Sequence, residues 1–458
     1  MKWHVITRVG ESDTFVPTLQ AHEPRIVVPL DRPTDPWRVQ ENMASVLERA
    51  ALAAPRGTAR DLINLGISVY TADVRVSRGF GDDKWQREFT LHLPVSNVSK
   101  WNRAKKVLVD LLAFLTGDLW DIEFREAATV SRTAMLTSDC KFDAVCLFSG
   151  GLDSLVGAID RLKEGQKLAL VGHRGAGLTN TFQDRTLIEL RKHYDASFVP
   201  LMFRIQPAKR VRKKRGNAEA EVASEPESDE KSMRARSILF FSLGIAITET
   251  LGEGLTLSAA ENGLISLNVP LTMARQGSLS TRTTHPYVID SLRHLLKALG
   301  MTTNIEMPYR FQTKGEMMKQ CTDQIALAAT TPLTMSCSHP EVGRWQGKPG
   351  NHCGYCVPCI IRRAATFAAK VRDAKYVIDP RKDPPPYTTQ RGRDLRAFEI
   401  AIERYFEESR QDSFASVIST GPIAAEDVPR FVDTYRNGME EVAKFVGIKR
   451  PQQSRKIR

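Results

Sequence analysis

The sequence predicts an α/β protein: a central parallel sheet flanked by an N-terminal α+β region and a C-terminal helical extension. Three observations carry this. From Lys141 onward short apolar runs alternate with helical patterns, as strands joined by crossover helices require. Before that point several runs alternate apolar and polar residues with no such rhythm, and after Arg372 the pattern becomes purely helical. At 458 residues the chain exceeds what one core organises. The expected units are 1–140 (α+β), 141–332 (parallel sheet, with a charged insert at 207–231), 333–372 (a cysteine-bearing subdomain) and 373–458 (linker and helices).

In the first unit Arg25–Leu30, Ile67–Ser77 and Glu88–Pro94 read as strands whose alternation predicts antiparallel pairing. Ser99–Leu115 reads as a helix, because Trp101, Val107, Leu108, Leu111, Leu112 and Leu115 recur at helical spacing. No catalytic motif falls there. The central strands are Asp143–Phe148, Lys167–Gly172, Phe198–Phe203 and Leu255–Ala259. Pro207–Lys231 interrupts them with a basic and then an acidic run, too poor in apolar residues to fold alone, and reads as a solvated loop or an active-site lid. Beyond Pro384-Pro385-Pro386, two amphipathic helices follow, one on Leu395, Phe398, Ile402, Tyr405 and Phe406, the other on Val428, Phe431, Val432, Tyr435, Met439 and Val442.

No apolar run approaches the roughly 20 residues of a membrane helix, and no signal peptide is evident, so a cytoplasmic location is expected. Seven cysteines, four of them in a metal-like arrangement, fit a reducing compartment. A net charge of +12 (65 basic minus 53 acidic residues) favours anionic partners without saying which, nucleic acid included.

The sharpest signal is Ser149-Gly150-Gly151-Leu152-Asp153-Ser154, between an apolar strand and the helical pattern Leu155, Val156, Ala158, Ile159, Leu162. Two glycines let the backbone turn so that successive N–H groups meet an anion at the positive end of the helix. Ser149 and Ser154 add hydroxyls. Asp153 would repel phosphate unless a cation intervenes, so it reads either as a holder of Mg²⁺ or as a helix cap. The string lacks the Gly-Lys-Ser ending of a Walker loop. His173 and Arg174 end the second central strand, on the edge where α/β ligands collect. Arg282, Thr284, His285 and Pro286 form a polar cluster that reads as a substrate loop or as plain surface.

Cys353-Gly354-Tyr355-Cys356-Val357-Pro358-Cys359 sets three thiols at two-residue gaps, and Cys337 stands upstream. Four thiolates complete a closed tetrahedral Zn²⁺ site, which stabilises a fold and leaves no position for substrate; an iron–sulfur cluster is the other reading. His339 and His352 are read as bystanders or as groups that support the ligands.

The Ser149–Ser154 string resembles the SGGxDS signature of PP-loop ATP pyrophosphatases. That resemblance implies their five-stranded parallel sheet, the adenine nucleotide alpha hydrolase-like (HUP) fold, and cleavage of ATP between its α and β phosphates. Together with the four cysteines, the stretch Phe142–Arg372 resembles the 7-cyano-7-deazaguanine synthase family, whose C-terminal CGxCxxC cluster binds zinc. Met233-Arg234-Ala235-Arg236-Ser237, Ala260-Glu261-Asn262-Gly263 and Thr313-Lys314-Gly315-Glu316 are similar to further segments of that family. Two departures put the substrate in question: Ser237 replaces the usual Asn, and Leu267–Pro286 does not reproduce the family's substrate segment. The added end units and the charged insert look similar to synthase-like components of bacterial anti-phage defence systems of the Qat and related types.

The resemblance implies ATP, Mg²⁺ and Zn²⁺ as cofactors and adenylation of a 7-carboxy-7-deazaguanine-like carboxylate. Amide, nitrile or conjugate formation with an amine would follow, the acceptor being ammonia or a partner protein of the same defence system. It casts Asp153, Lys314 and Arg236 as catalytic, with Lys314 and Arg236 neutralising charge. Ser149, Gly150, Gly151, Leu152, Asp153, Ser154, His173, Glu261 and Asn262 would bind nucleotide, although Glu261 and Asn262 also suit a cap of the following turn. Cys337, Cys353, Cys356 and Cys359 would hold the metal. Oligomeric state stays open, a homodimer included. Two rival readings remain: an iron–sulfur enzyme thiolating tRNA, and a zinc-stabilised nucleic-acid-binding module without catalysis.

Overall fold

Alternating runs in the N-terminal region form strands, and a computed structural model shows how they pair; it describes residues 1–20, 23–127, 141–175, 177–208, 230, 233–272 and 282–450. Strands β1 (Lys2–Val9), β2 (Arg25–Leu30), β4 (Glu88–Val95) and β5 (Leu119–Glu126) make a sheet of order β2-β1-β4-β5, while β3 (Gln40–Glu41) belongs to a second sheet. Every pair in the first sheet is parallel, which corrects the antiparallel expectation and makes the unit α/β rather than α+β. The period of two reports which face is covered and carries no information on strand direction. The helices Gly57–Arg75 and Val98–Thr116 supply the crossovers into β4 and β5.

The segment Ile67–Ser77 is a second correction, since most of it lies in the helix Gly57–Arg75. That helix packs against β1, β2 and β4 on one side and against the helix Arg236–Leu251 on the other. It is therefore buried nearly all round, leaving no polar stripe to mark a helical period, and its β-branched Ile67, Val69, Thr71 and Val74 imitate a strand. Gly66 permits the close approach: a Cβ there would lie 2.8 Å from Ser242 Oγ and 3.0 Å from Leu239 Cα.

The second sheet carries β6 (Ala144–Leu147), β7 (Leu168–Arg174), β8 (Phe198–Gln206), β9 (Thr256–Ser258) and β10 (Asn304–Glu306), in the order β10-β9-β6-β7-β8-β3. Five of these strands run parallel, and β3 joins the β8 edge antiparallel. The four predicted central strands are all present; β10 is three residues long and gives no sequence signal. One apolar core runs from Trp3, Val5 and Phe89 through Leu65 and Val69 to Phe241, Leu257 and Ile305, joining the two sheets through the helices between them.

The helix Val98–Thr116 spans the predicted stretch, capped by the Asn97 side chain and ended by Gly117 at φ +77°. Both predicted C-terminal helices form, as Gln390–Glu407 and Val428–Val446, with a further helix Arg410–Ile418 between them. Their stripes make a separate core with Leu267, Ile360 and Ile361. No helix among the described residues is long and apolar enough to cross a membrane. Of the charged insert only Pro207, Ala208 and Glu230 are described, and the remainder of that expectation lies outside the described residues.

Gly66→Val forces branched bulk into the backbone of the facing helix, so it should destabilise the fold by about 1–3 kcal/mol. A thermal melt checks this; an unchanged midpoint would mean that the two sheets are not locked through this contact.

Candidate functional site

Strand β6 leads into the glycine turn, and the helix Leu152–Lys163 leaves it. Gly150 has φ +79°, and a Cβ on it would lie 2.6 Å from Gln183 Cγ, so only glycine fits. Gly151 is the helix N-cap and offers no side-chain cap, which leaves the first-turn amides available to an anion. That position also removes the capping reading of Asp153. Ser149 is exposed, and its Oγ accepts from Gly151 N (3.2 Å) and lies 3.2 Å from Ser154 Oγ.

Strand order places this turn where α/β sheets collect ligands. From β6 the chain steps outward through β7 and β8, then returns to the other side of β6 with β9 and β10. The switch point therefore lies between β6 and β9, and the residues after those strands meet across it. Asp153 Oδ2 accepts from Asn262 Nδ2 (2.7 Å), and its Oδ1 is ion-paired with Lys314 Nζ, which follows β10. Glu261, half-buried, donates a hydrogen bond to the same carboxylate. Asn262 serves twice, because its Oδ1 accepts from Ile265 N (3.0 Å) and caps the helix Gly263–Leu267.

Four predicted residues thus form one cluster, with Asp153, Asn262 and Lys314 buried and Glu261 half-buried. Burial alone would raise the Asp153 pKa, but the Lys314 charge and the hydrogen bonds from Glu261, Lys314 and Asn262 hold it below the usual carboxylate range. Burial and the adjacent Asp153 charge push Glu261 well above its ordinary value, so it is the protonated member.

Arg236 and His173 form a pair of their own. Arg236 Nε donates to His173 Nδ1 (3.3 Å), and His173 Nε2 donates to Ile205 O (3.0 Å). Burial and then the Arg236 charge lower the His173 pKa to about 4, so the ring is neutral at ordinary pH. Arg174 is ion-paired with Asp184 at the same sheet edge. Ser237 Oγ donates to Arg234 O (3.1 Å).

The cluster at Arg282–Pro286 is taken up in packing rather than presented to a ligand. Arg282 donates to Phe114 O (3.1 Å), Thr284 Oγ1 meets Ser266 Oγ at 3.0 Å, and His285 caps its helix while contacting Thr420.

Two supports escape sequence reasoning. Gln183 Nε2 donates to Ser149 O (3.2 Å), holding the turn from beneath. Glu441, on the helix Val428–Val446, accepts from Thr313 Oγ1 (2.8 Å) and Gly315 N (3.3 Å), fixing the loop that carries Lys314. Glu441 lies on a predicted helix but off its apolar stripe, and Gln183 sits in a polar helix with no motif.

The four cysteines also converge. Their Sγ atoms lie within 4.8 Å of one another, with Cys353–Cys359 at 3.8 Å and Cys337–Cys356 at 4.0 Å. A four-coordinate ion with bonds of about 2.3 Å has tetrahedral edges of about 3.8 Å, so the group can hold a metal ion. Cys337 Sγ accepts from His339 N and Cys353 N (3.3 Å each). The neighbouring thiols and the Cys353 amide lower its pKa, whereas the same mutual contacts push Cys353 up, and burial with those contacts pushes Cys359 up; ligation needs all four as thiolates. Gly354, at φ +91°, makes the turn between ligands, with Ile378 O where a Cβ would stand. His339 and His352 are not in the group; His352 Nε2 instead donates to Thr334 O (3.1 Å).

No family model matches the chain, and no curated protein does. A cleft of about 1680 Å³ opens between the cysteine lobe and the helical extension, lined among others by Leu264, Ile265, Trp345, Tyr355, Arg391 and Arg393. Neither Ser149–Ser154, Asp153 included, nor Glu261, Asn262 and Lys314 are among its lining residues; Leu264 and Ile265 belong to the short helix Gly263–Leu267 that Asn262 caps.

Because folding favours protonated Glu261, its stabilising share is complete below its ordinary value of 4.5 and is lost as pH climbs through the raised folded value. Asp153 acts in the opposite sense, losing its share as pH falls through its depressed value. Glu261→Gln should therefore flatten the alkaline fall of the melting temperature while leaving the acid limb in place. Parallel wild-type and variant profiles from pH 5 to 10 would show that Glu261 carries no such proton.

Proposed function

We propose that the protein is an ATP-dependent adenylating enzyme that joins a carboxylate to an amine. The observation that carries this reading is the uncapped glycine turn at the switch point, with Lys314 fixed one ion pair away through Asp153. The turn amides and the serine hydroxyls would hold the phosphates. Lys314 has three donors and spends one on Asp153, leaving two for the phosphate that receives the attack. A carboxylate oxygen attacks the α-phosphorus, the bond to the departing pyrophosphate breaks, and an acyl-adenylate forms. An amine then attacks the acyl carbon, AMP leaves, and one proton is released. The gain comes from alignment and charge stabilisation, with no covalent intermediate on the protein. Mg²⁺, when bound with the nucleotide, would neutralise charge on the phosphates; Asp153, the carboxylate within the turn string, is the residue that would hold it.

The resemblance of Phe142–Arg372 to 7-cyano-7-deazaguanine synthases supports a 7-deazaguanine carboxylate as substrate and zinc in the cysteine group. The amine would be ammonia or a partner protein's, the latter in keeping with the defence-system role that the resemblance suggests. The chain is expected to carry one Zn²⁺ per molecule in a colourless preparation. Cys353→Ser should lose the metal and lower the melting temperature, as measured by elemental analysis and a thermal melt. Iron and a brown colour would favour the tRNA-thiolating alternative.

Asp153→Asn alone strands a buried ammonium, whereas Asp153→Asn with Lys314→Met leaves a neutral pair and should keep the fold. With ATP and 7-carboxy-7-deazaguanine, the wild type should release AMP and pyrophosphate, and the folded double variant should lose that activity by about 100-fold or more. Release of ADP and phosphate by the wild type, or full activity in the double variant, would sink the reading.

A further inference from the structure

One stretch of chain, Thr331–Cys337, connects the cysteine group to the phosphate turn. Its last residue is a cysteine of the group, and two residues earlier Met335 N donates to Gly150 O (3.0 Å). Met335 O and Ser336 Oγ lie 3.6 and 3.9 Å from where a Cβ on Gly151 would be, so this stretch forms one wall of the turn.

Arg362 holds that stretch. It lies on the helix Val357–Ala369, with Cys356 at the N-cap position and Cys359 in the first turn, and its side chain is 0% exposed. Its Nη2 donates to Thr331 O (2.8 Å). Its Nη1 donates to Thr334 Oγ1 (2.7 Å) and Thr334 O (3.2 Å), with Ser336 Oγ at 3.4 Å, and its Nε donates to Asp373 Oδ1 (2.8 Å). Thr334 O also accepts from His352 Nε2, the residue before Cys353.

Burying a guanidinium is unfavourable unless its fixed fork of donors is satisfied, and an apolar side chain would stabilise the helix packing at least as well. Here all the acceptors except Asp373 belong to the one stretch that touches the turn, and they match the planar fork rather than a point charge. Neither metal ligation nor the apolar core uses this side chain.

We propose that Arg362 is a positioning residue that couples the cysteine centre to the phosphate turn: the helix built on Cys356 and Cys359 sets Arg362, and Arg362 sets the Met335–Ser336 wall of the anion site. Only its effect on nucleotide rests on the function proposed above. The coupling is a property of the chain itself.

The test is hydrogen exchange by mass spectrometry on the full-length, metal-loaded protein. Arg362→Lys keeps the charge and loses the fork, and Thr334→Val, a milder change, removes one acceptor. In both, amides in peptides covering 147–155 and 333–338 should exchange about tenfold faster. Metal content and exchange across Gly57–Arg75 should stay at wild-type levels, and Thr334→Ser, which keeps the acceptor, should behave as wild type. Stripping the metal with a chelator should quicken the same two peptides. For nucleotide, KM for ATP should rise more than kcat falls. Folded, metal-loaded variants with wild-type exchange at both peptides would overturn the coupling, as would a stripped protein with an unaltered turn. If the wild type does not bind ATP while the exchange result holds, the proposed function fails and the coupling stands.

Discussion

A carboxylate cannot be buried without partners, and the placement of Asp153 follows from that constraint. Its side chain is 7% exposed, at the start of a helix directly after the glycine turn. The compensating groups come from two other strand ends: Glu261 and Asn262 after β9, and Lys314 beyond β10. Satisfying one charge therefore draws three segments, remote in sequence, to a single point beneath the phosphate turn. Removing any one partner leaves another polar group stranded in a low-dielectric setting, where the penalty is largest.

The N-terminal unit obeys the same logic at a second place. Arg87, Asp73 and Asp118 are fully buried, with Arg87 Nη2 2.6 Å from Asp73 and 2.7 Å from Asp118. Asp73 Oδ2 then accepts from Ala235 N (2.9 Å), at the start of the helix that carries Arg236. The first sheet is thus tied to the sheet that carries the candidate site by a backbone hydrogen bond to a buried carboxylate as well as by the shared apolar core. A region with no catalytic motif fixes the backbone entry to Arg236, and through it the His173 ring.

Legibility in the sequence followed the range of the interactions. The glycine turn and the cysteine group are local, so their spacing announced them, and the structure brings Asp153, Glu261, Asn262 and Lys314 together as one cluster. Helices with one apolar stripe, such as Val428–Val446, were equally readable. The helix Gly57–Arg75 was not, because contact on both sides erased its polar face. Parallel pairing in the first sheet was misread because side-chain alternation says nothing of strand direction. Gln183, Arg362 and Glu441 matter through hydrogen bonds to segments distant in sequence, and no periodicity records such a bond.

Charge bookkeeping separates two roles that the sequence merges. With Glu261 protonated, Asp153 and Lys314 cancel, so the cluster contributes no net positive charge toward a polyphosphate. Attraction at a distance falls to the chain's excess of +12, which solution ions screen beyond about 8 Å at physiological salt. On the function proposed, close binding would fall to the amides of the turn, oriented dipoles that need no counter-ion. Their worth depends on where the turn is held, and the holding is done by Gln183 from beneath and by Met335 and Ser336 from the side. Rigid placement of neutral donors, rather than accumulated positive charge, is therefore what the fold would contribute to the anion recognition proposed for this turn.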